Sequence, residues 1–229
     1  MNRVAIIPAR GGSKRLPRKN VLPIQGKPML TYPIQTAQKS KMFDRIIVST
    51  EDEEIKQIAL EAGAEVFQRP EDLAQDRATV VQVCKHVLDV LAEQNIHLEF
   101  FCCIYATAIF ITPEDIKNSF QLFNQEPKPD VVMGVSGFNQ HPVQALENKD
   151  GFLNPKWPEY LGIQSQFHPH LVASNGTLYW ARTSYFEQNP SFYCKKLVGY
   201  TIPKQRAVDL DTQEDMELAS LVAEKTLGQ

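Results

Sequence analysis

An α/β fold with a mostly parallel, doubly wound sheet is what this sequence predicts, and three observations carry the prediction. Short apolar runs rich in Val and Ile alternate with helix-length segments through the first half of the chain, the signature of a parallel sheet covered on both faces. Several of those segments open on residues suited to capping, Thr50-Glu51-Asp52-Glu53 and Thr112-Pro113-Glu114-Asp115 among them. The first apolar run, Val4 to Pro8, empties directly into a loop with adjacent glycines, and ligands of such sheets lie outside the carboxyl ends of the strands. At 229 residues the chain can form one domain, 1–229, with a good core and room for an insertion.

In chain order, Val4 to Pro8 reads as a buried strand. Leu22 to Ile24 and Gly26-Lys27-Pro28 lead into a helix from Pro28 to Lys41, which Pro33 would kink or delay. Ile46-Ile47-Val48 is the next strand, followed by a helix with acids in its first turn that runs to about Ala62 and ends at Gly63. Ala64 to Phe67 is a short third strand, and Arg69-Pro70 opens an acidic loop through Asp76. Thr79 to Gln94 has helical apolar spacing, Phe100 to Ile104 is a fourth strand, and Thr112 opens another helix. The alternation breaks near Gly137. Leu178 to Ala181 and Leu197 to Ile202 read as returning strands, and a helix from about Gln213 to Leu227 closes the chain.

A formal charge of −3 hides a concentration of cations near the start, so the basicity is a site rather than a coat for nucleic acid. No secretory pattern opens the chain and no apolar run approaches membrane-spanning length, so a cytoplasmic protein without a membrane partner is expected. Cys84, Cys102, Cys103 and Cys194 lack a metal-type spacing; Cys102 and Cys103 are strand neighbours that face opposite ways and read as core.

The loop Ala9-Arg10-Gly11-Gly12-Ser13-Lys14-Arg15-Leu16-Pro17-Arg18-Lys19-Asn20 reads as a phosphate cradle. Paired glycines let backbone N–H groups converge on an anion, and Arg10, Lys14, Arg15, Arg18 and Lys19 repel one another unless an anion sits among them. The alternative is a glycine turn with a solvated cationic tip. Neither Gly-x-x-x-x-Gly-Lys-Ser/Thr nor Gly-x-Gly-x-x-Gly is present. Near the other end, Asp209 and Asp211 stand at i and i+2, which on extended backbone suits a divalent cation shared with phosphate oxygens. Asp211 or Thr212 could equally cap the closing helix. His141, His168 and His170 read as surface or interface imidazoles rather than metal ligands.

These residues resemble the acylneuraminate cytidylyltransferases. The resemblance rests on Ile7-Pro8-Ala9-Arg10-Gly11-Gly12-Ser13-Lys14-Arg15 with Lys19-Asn20, on Phe43-Asp44-Arg45-Ile46-Ile47-Val48-Ser49-Thr50, and on Gly63-Ala64-Glu65-Val66 with Arg69-Pro70. It continues through Leu73-Ala74-Gln75-Asp76, Ser174-Asn175-Gly176 and Asp209-Leu210-Asp211-Thr212, so it covers essentially the whole chain. Cys103 to Ala108, with His141-Pro142-Val143-Gln144, looks most like the pseudaminic acid branch, whereas Ile109 and the Ala173 to Thr177 stretch depart from it, the latter toward the sialic and legionaminic acid enzymes. The resemblance implies a Rossmann-like fold of the nucleotide-diphospho-sugar transferase type. It also implies Mg²⁺-dependent transfer of CMP from CTP to a nine-carbon nonulosonic acid. Arg10, Lys14, Lys19 and Asp211 would be catalytic; Ala9, Arg10, Gly11, Gly12, Ser13, Lys14, Asn20, Arg69, Asp76 and Thr79 would bind the nucleotide. Tyr105, Thr107, Gln144, Asn175, Gly176, Phe192 and Tyr193 would face the sugar, and Asp209 and Asp211 would hold the metal. Arg69 reads equally as a surface guanidinium before a proline, and the Phe192-Tyr193 pair equally as core. Rival readings are the same chemistry on the eight-carbon acid Kdo, and a nucleotide sensor without chemistry.

The excursion 138–172 holds four prolines and little periodicity, yet Phe138, Val143, Leu146, Phe152, Leu153, Trp157, Tyr160, Leu161, Ile163 and Phe167 are too apolar to remain in water. It is expected to be an inserted dimerisation arm that makes the protein a homodimer, or else a lid within one chain.

Overall fold

The computed structural model describes residues 2–208 and 210–226. The chain runs β1 (Arg3–Pro8), a hairpin of β2 (Pro23–Ile24) and β3 (Lys27–Pro28), α1 (Thr31–Ser40), β4 (Arg45–Thr50), α2 (Glu53–Glu61), β5 (Glu65–Gln68) and the short α3 (Glu71–Ala74). Next come α4 (Val80–Glu93), β6 (Phe100–Ile104), α5 (Pro113–Gln121), β7 (Val131–Ser136) and a second hairpin, β8 (Leu146–Lys149) with β9 (Phe152–Pro155). The last elements are β10 (Ala173–Arg182), α6 (Thr183–Gln188), β11 (Leu197–Thr201) and α7 (Gln213–Thr226).

Seven strands form one sheet in the order β11-β7-β10-β6-β1-β4-β5. All neighbours are parallel except β10, which runs antiparallel to both β6 and β7. The expected mostly parallel α/β sheet is therefore what forms, with one reversed strand. The reversal follows from the connection: β7 leads into the excursion, which returns the chain alongside β7 without the crossover that a parallel partner would need.

Strand alternation sends successive residues of β1 to opposite faces. Ala5 and Ile7 join a core with Ile34 and Ala37 of α1, Ile55 and Ala59 of α2, and Ile116 of α5. Val4 and Ile6 join a second core with Val87 and Leu91 of α4 and Phe186 of α6. Cys102 lies in the first core and Cys103 in the second, as strand neighbours must. A third cluster packs Met216, Ala219 and Ala223 of α7 against Leu16, Ile24, Met29 and Leu210. It fastens the cationic loop and the closing segment to one another.

Helix boundaries follow local chemistry. Thr79 and Gln82 form a capping box on α4, as Thr112 and Asp115 do on α5. Asp52 caps α2 by accepting the Ile55 N–H at 3.0 Å. The expected helix at Pro28 begins three residues later, at Thr31, because Lys27 and Pro28 pair with Ile24 and Pro23 in the hairpin. Pro33 then falls in the first turn, where a missing N–H costs nothing.

Asp115 is almost fully buried. Its carboxylate accepts the Thr112 N–H and hydroxyl at 2.8 Å each, the Tyr200 hydroxyl at 3.0 Å and the Arg206 guanidinium. Burial alone would raise its pKa, but the bonds from Arg206 and Thr112 outweigh that and hold it below the usual carboxylate range. A depressed folded pKa stabilises above the unfolded value, near pH ~4, and that stabilisation is lost as pH falls through the folded value. Asp115→Ala should therefore cost about 3 kcal/mol at neutral pH, since it strands Arg206, lowering Tm by roughly 6–12 °C. In thermal melts across pH, the gap between wild type and variant should narrow below about pH 4.

The excursion 138–172 carries the β8–β9 hairpin and, Val143 being buried and Tyr160 half-buried, leaves the rest of its large apolar side chains outside: Phe152 is 76% exposed, Phe167 71% and Leu161 64%. They are not folded over the chain's own cleft.

Candidate active site

β1 delivers the chain at the carboxyl end of the sheet, where the Ala9 N–H bonds the Ser49 carbonyl at 3.0 Å. The loop then turns back on itself. Asn20, nearly buried, donates from Nδ2 to the Arg10 carbonyl at 2.9 Å, and Leu16 plugs the third core. This holds the loop's polar side over a cleft of about 560 Å³. Arg10, Gly12, Ser13, Lys14, Arg15, Lys19 and Asn20 line one wall, and Arg69, Asp76, Tyr105, Thr107 and Asp211 line the others.

The five loop cations each meet an acid of this chain. Asp76 bridges Arg10 at 2.9 Å and Lys14 at 2.5 Å. Asp211 bridges Lys19 at 2.9 Å and Arg15 at 2.6 Å. Arg18 pairs with Asp52 and Glu54. Anions do sit among these cations, and they are in-chain carboxylates; Lys14 chiefly, with Arg10, keeps the Asp76 carboxyl below its usual range. A triphosphate entering the cleft would compete with Asp76 and Asp211 for the same cations.

The two glycines do different work. Gly11 does not line the cleft: its N–H donates to Glu51 Oε1 at 2.7 Å, and a Cβ there would collide with the Asp52 carboxylate. Gly12 lines the cleft, and a Cβ there would meet nothing within 4 Å. Of the expected nucleotide contacts, Ala9 is buried behind the loop. Thr79 spends its hydroxyl on the α4 cap, leaving Ala78 and Val80 on the cleft wall instead. Arg69 is not a surface guanidinium. It is only 4% exposed, donates to the Ser49 carbonyl at 2.6 Å and lies 3.9 Å from Glu51. Burial pushes its pKa down, while Glu51 opposes that.

On the side expected to take the sugar, Tyr105 and Thr107 reach the cleft. Gly176 stands behind Tyr105, with φ +63° and a would-be Cβ 3.5 Å from the ring. Asn175 accepts the Thr177 hydroxyl at 2.6 Å, and its Nδ2 is buried without a partner. Gln144 is exposed at the root of the arm, outside the cleft. Phe192 takes the core alternative rather than facing the sugar: it is 4% exposed and packs 5.0 Å from the Tyr179 ring in the second core. Tyr193, at 69% exposed, remains outward. Asp209 lies outside the described residues, so the expected metal pair is represented by Asp211. Glu51 and Asp52 are the contacts that sequence reasoning missed; both read as helix-opening acids, and what separates them is that Asp52 caps α2 while Glu51 accepts the Gly11 N–H.

Fold and site together define a nucleotide-binding α/β protein: a cationic loop at the carboxyl end of a central parallel strand, facing a carboxylate across a polar cleft. Residues 4–221 match the sequence model of the family described as Cytidylyltransferase. The chain is 30% identical to a pseudaminic acid cytidylyltransferase of Campylobacter jejuni over 227 residues, 97% of this chain and 96% of that protein. It is 31% identical to an N-acylneuraminate cytidylyltransferase of Escherichia coli, across 97% of this chain and 52% of the relative. A solved structure of CMP:2-keto-3-deoxy-manno-octonic acid synthetase complexed with CTP superposes with a TM-score of 0.68 over 98% of this chain and 100% of that one. At 16% identity that likeness speaks for the fold. The chain belongs to the cytidylyltransferase family and is a nucleotidyltransferase.

Proposed function

We propose that the protein transfers CMP from CTP to the anomeric hydroxyl of a nine-carbon nonulosonic acid, pseudaminic acid foremost, with release of pyrophosphate. The observation that carries this is the convergence of Arg10, Lys14, Lys19, Arg69 and Asp211 on one cleft in a chain of this family. The full-length relationship to the Campylobacter jejuni enzyme supports pseudaminic acid. The Ser174-Asn175-Gly176 stretch and the Escherichia coli relative support N-acetylneuraminic or legionaminic acid as a second reading.

In the proposed reaction the oxygen of the sugar's anomeric hydroxyl attacks the α-phosphorus as its proton passes to solvent, the bond from the α-phosphorus to the oxygen shared with the β-phosphate breaks, and pyrophosphate leaves with the charge. Little covalent work falls to the protein, so positioning and charge stabilisation dominate. Gly12 and Ser13 with Arg10 and Lys14 would hold the triphosphate, Lys19 would face the α-phosphate, and Arg69 would end the cleft at the base. Tyr105 and Thr107 would face the sugar, since both reach the cleft. Asp211 supplies hard oxygen donors beside two cations, a set that suits Mg²⁺ bound through one or two carboxylates and phosphate oxygens. When bound there, the ion would neutralise phosphate charge and order the triphosphate.

Pyrophosphate release should be measured with CTP, UTP, ATP and GTP against pseudaminic, legionaminic, N-acetylneuraminic and Kdo acids, with Mg²⁺. CTP with pseudaminic acid should give the highest kcat/KM. Equal turnover with ATP or GTP would refute a cytosine pocket around Arg69, and Kdo as best acceptor would refute the nine-carbon assignment.

The chain is further proposed to act as one domain, 1–229, in the cytoplasm, where CTP is at hand; among the described residues no helix is long and apolar enough to cross a membrane. Residues 138–172 would be an arm that pairs two copies, since the exposed side chains of Phe152, Leu153, Leu161 and Phe167 could each contribute roughly 1.5 kcal/mol or more when covered. Sedimentation equilibrium should find a dimer at micromolar concentration, and an active monomer would sink the arm's role.

A further inference from the structure

One carboxylate outside the cleft lining lies between the cationic loop and Arg69. Glu51 follows β4, and its Oε1 accepts the Gly11 N–H at 2.7 Å across forty positions of sequence. Its Oε2 is buried, has no hydrogen-bond partner, and lies 3.9 Å from the Arg69 Nε. Capping does not account for it, because Asp52 already caps α2. Asp52 also receives Arg18 and lies against Gly11 so closely that only a glycine fits. Glu51 and Asp52 are thus the seat on which the cationic loop rests, and Glu51 alone reaches on to Arg69.

We infer that Glu51 is a positioning residue that sets the phosphate loop at a fixed distance from Arg69, so that triphosphate and base are gripped in register. The inference rests on the nucleotide reading of the cleft. With the Gly11 N–H taken by Glu51, Gly12 and the residues after it are the ones turned to the cleft. The other oxygen sets a negative charge beside a guanidinium that has left water, which favours its charged form, while Ser49 accepts from that guanidinium and aims it.

The two contacts separate by substitution. Glu51→Ala removes both, and Glu51→Gln keeps an oxygen for the Gly11 N–H while removing the charge beside Arg69. Steady-state kinetics with CTP and the acceptor acid should show Glu51→Ala losing about 50-fold in kcat/KM, with kcat carrying most of the loss, as expected for a charge-assisted bond removed from beneath a catalytic loop. Glu51→Gln should restore kcat to within about threefold and keep a CTP KM raised about tenfold. Amide exchange at Gly11 should be fast in Glu51→Ala and protected in Glu51→Gln, a readout independent of turnover. Equal losses in the two variants, or kinetics within about twofold of wild type in both, would overturn the inference, and Glu51→Gln carries the test alone should Glu51→Ala fail to fold. A folded wild type that turns over no nucleoside triphosphate would instead overturn the nucleotide reading and this inference with it.

Discussion

Asp211→Ala should abolish CMP transfer, lowering kcat by about 10³-fold, while leaving the protein folded. The fold should survive because the Asp211 carboxylate does no packing. The closing segment is held by its neighbours: Leu210 is buried in the third core, and Asp215 accepts the N–H groups of Asp211 and Thr212 at 3.0 and 2.8 Å, together with the Thr212 hydroxyl. Those bonds use the Asp211 backbone, which alanine keeps. What alanine loses is the carboxylate that Lys19 and Arg15 share, and the hard oxygen donors opposite the phosphate loop. Circular dichroism should match wild type, with Tm lowered modestly because Lys19 and Arg15 lose the carboxylate they share. Full activity in Asp211→Ala, with or without Mg²⁺, would remove the carboxylate from the mechanism.

Lys19→Ala should lower kcat by about 10²-fold and change the CTP KM much less. Lys19 is the most buried of the ammonium groups at the loop, 19% exposed against 84% for Lys14. It is held by Asp211 at 2.9 Å, and the turn Lys19–Val21 fixes its backbone. An ammonium pre-placed in that way acts on charge that develops in the transition state, whereas the exposed Lys14 can contribute chiefly to binding. A rise in KM at constant kcat would assign Lys19 to binding alone. The double variant with Asp211→Ala should be much less than the product of the two singles, since the side chains touch.

The parallel core was legible because its signals are local. Val4 to Pro8, Ile46 to Val48 and Phe100 to Ile104 are apolar runs bounded by caps, and each became a strand of the seven-stranded sheet. What escaped depended on partners distant in sequence. Val131 to Ser136 forms β7 between β10 and β11, and the pattern alone left it unassigned. The direction of β10 is set by where the excursion returns, which no periodicity encodes. Pro28 reads as a helix start but pairs with Pro23 in the hairpin, as Lys27 does with Ile24.

At the site, the loop's composition pointed to the right place, since Arg10, Gly12, Ser13, Lys14, Lys19 and Asn20 all line the cleft. Composition could not show that Gly11 faces away, that Phe192 fills the second core, or that Arg69 is buried. Nor could it show the carboxylates. Asp52, Glu54, Asp76 and Asp211 reach the loop from three separate segments, and only folding turns a self-repelling cluster into a balanced one.

The central claim is that the sugar's own oxygen attacks the α-phosphorus of CTP in this cleft. It is tested most directly by labelling the anomeric hydroxyl of the accepted nonulosonic acid with ¹⁸O and following the product by mass spectrometry and ³¹P NMR in the presence of Mg²⁺. The account predicts a CMP-sugar that keeps the label in its sugar–phosphate bridge, with unlabelled pyrophosphate released. A CMP-sugar without the label, label appearing in phosphate or pyrophosphate, or CTP consumed without a CMP-sugar would contradict it.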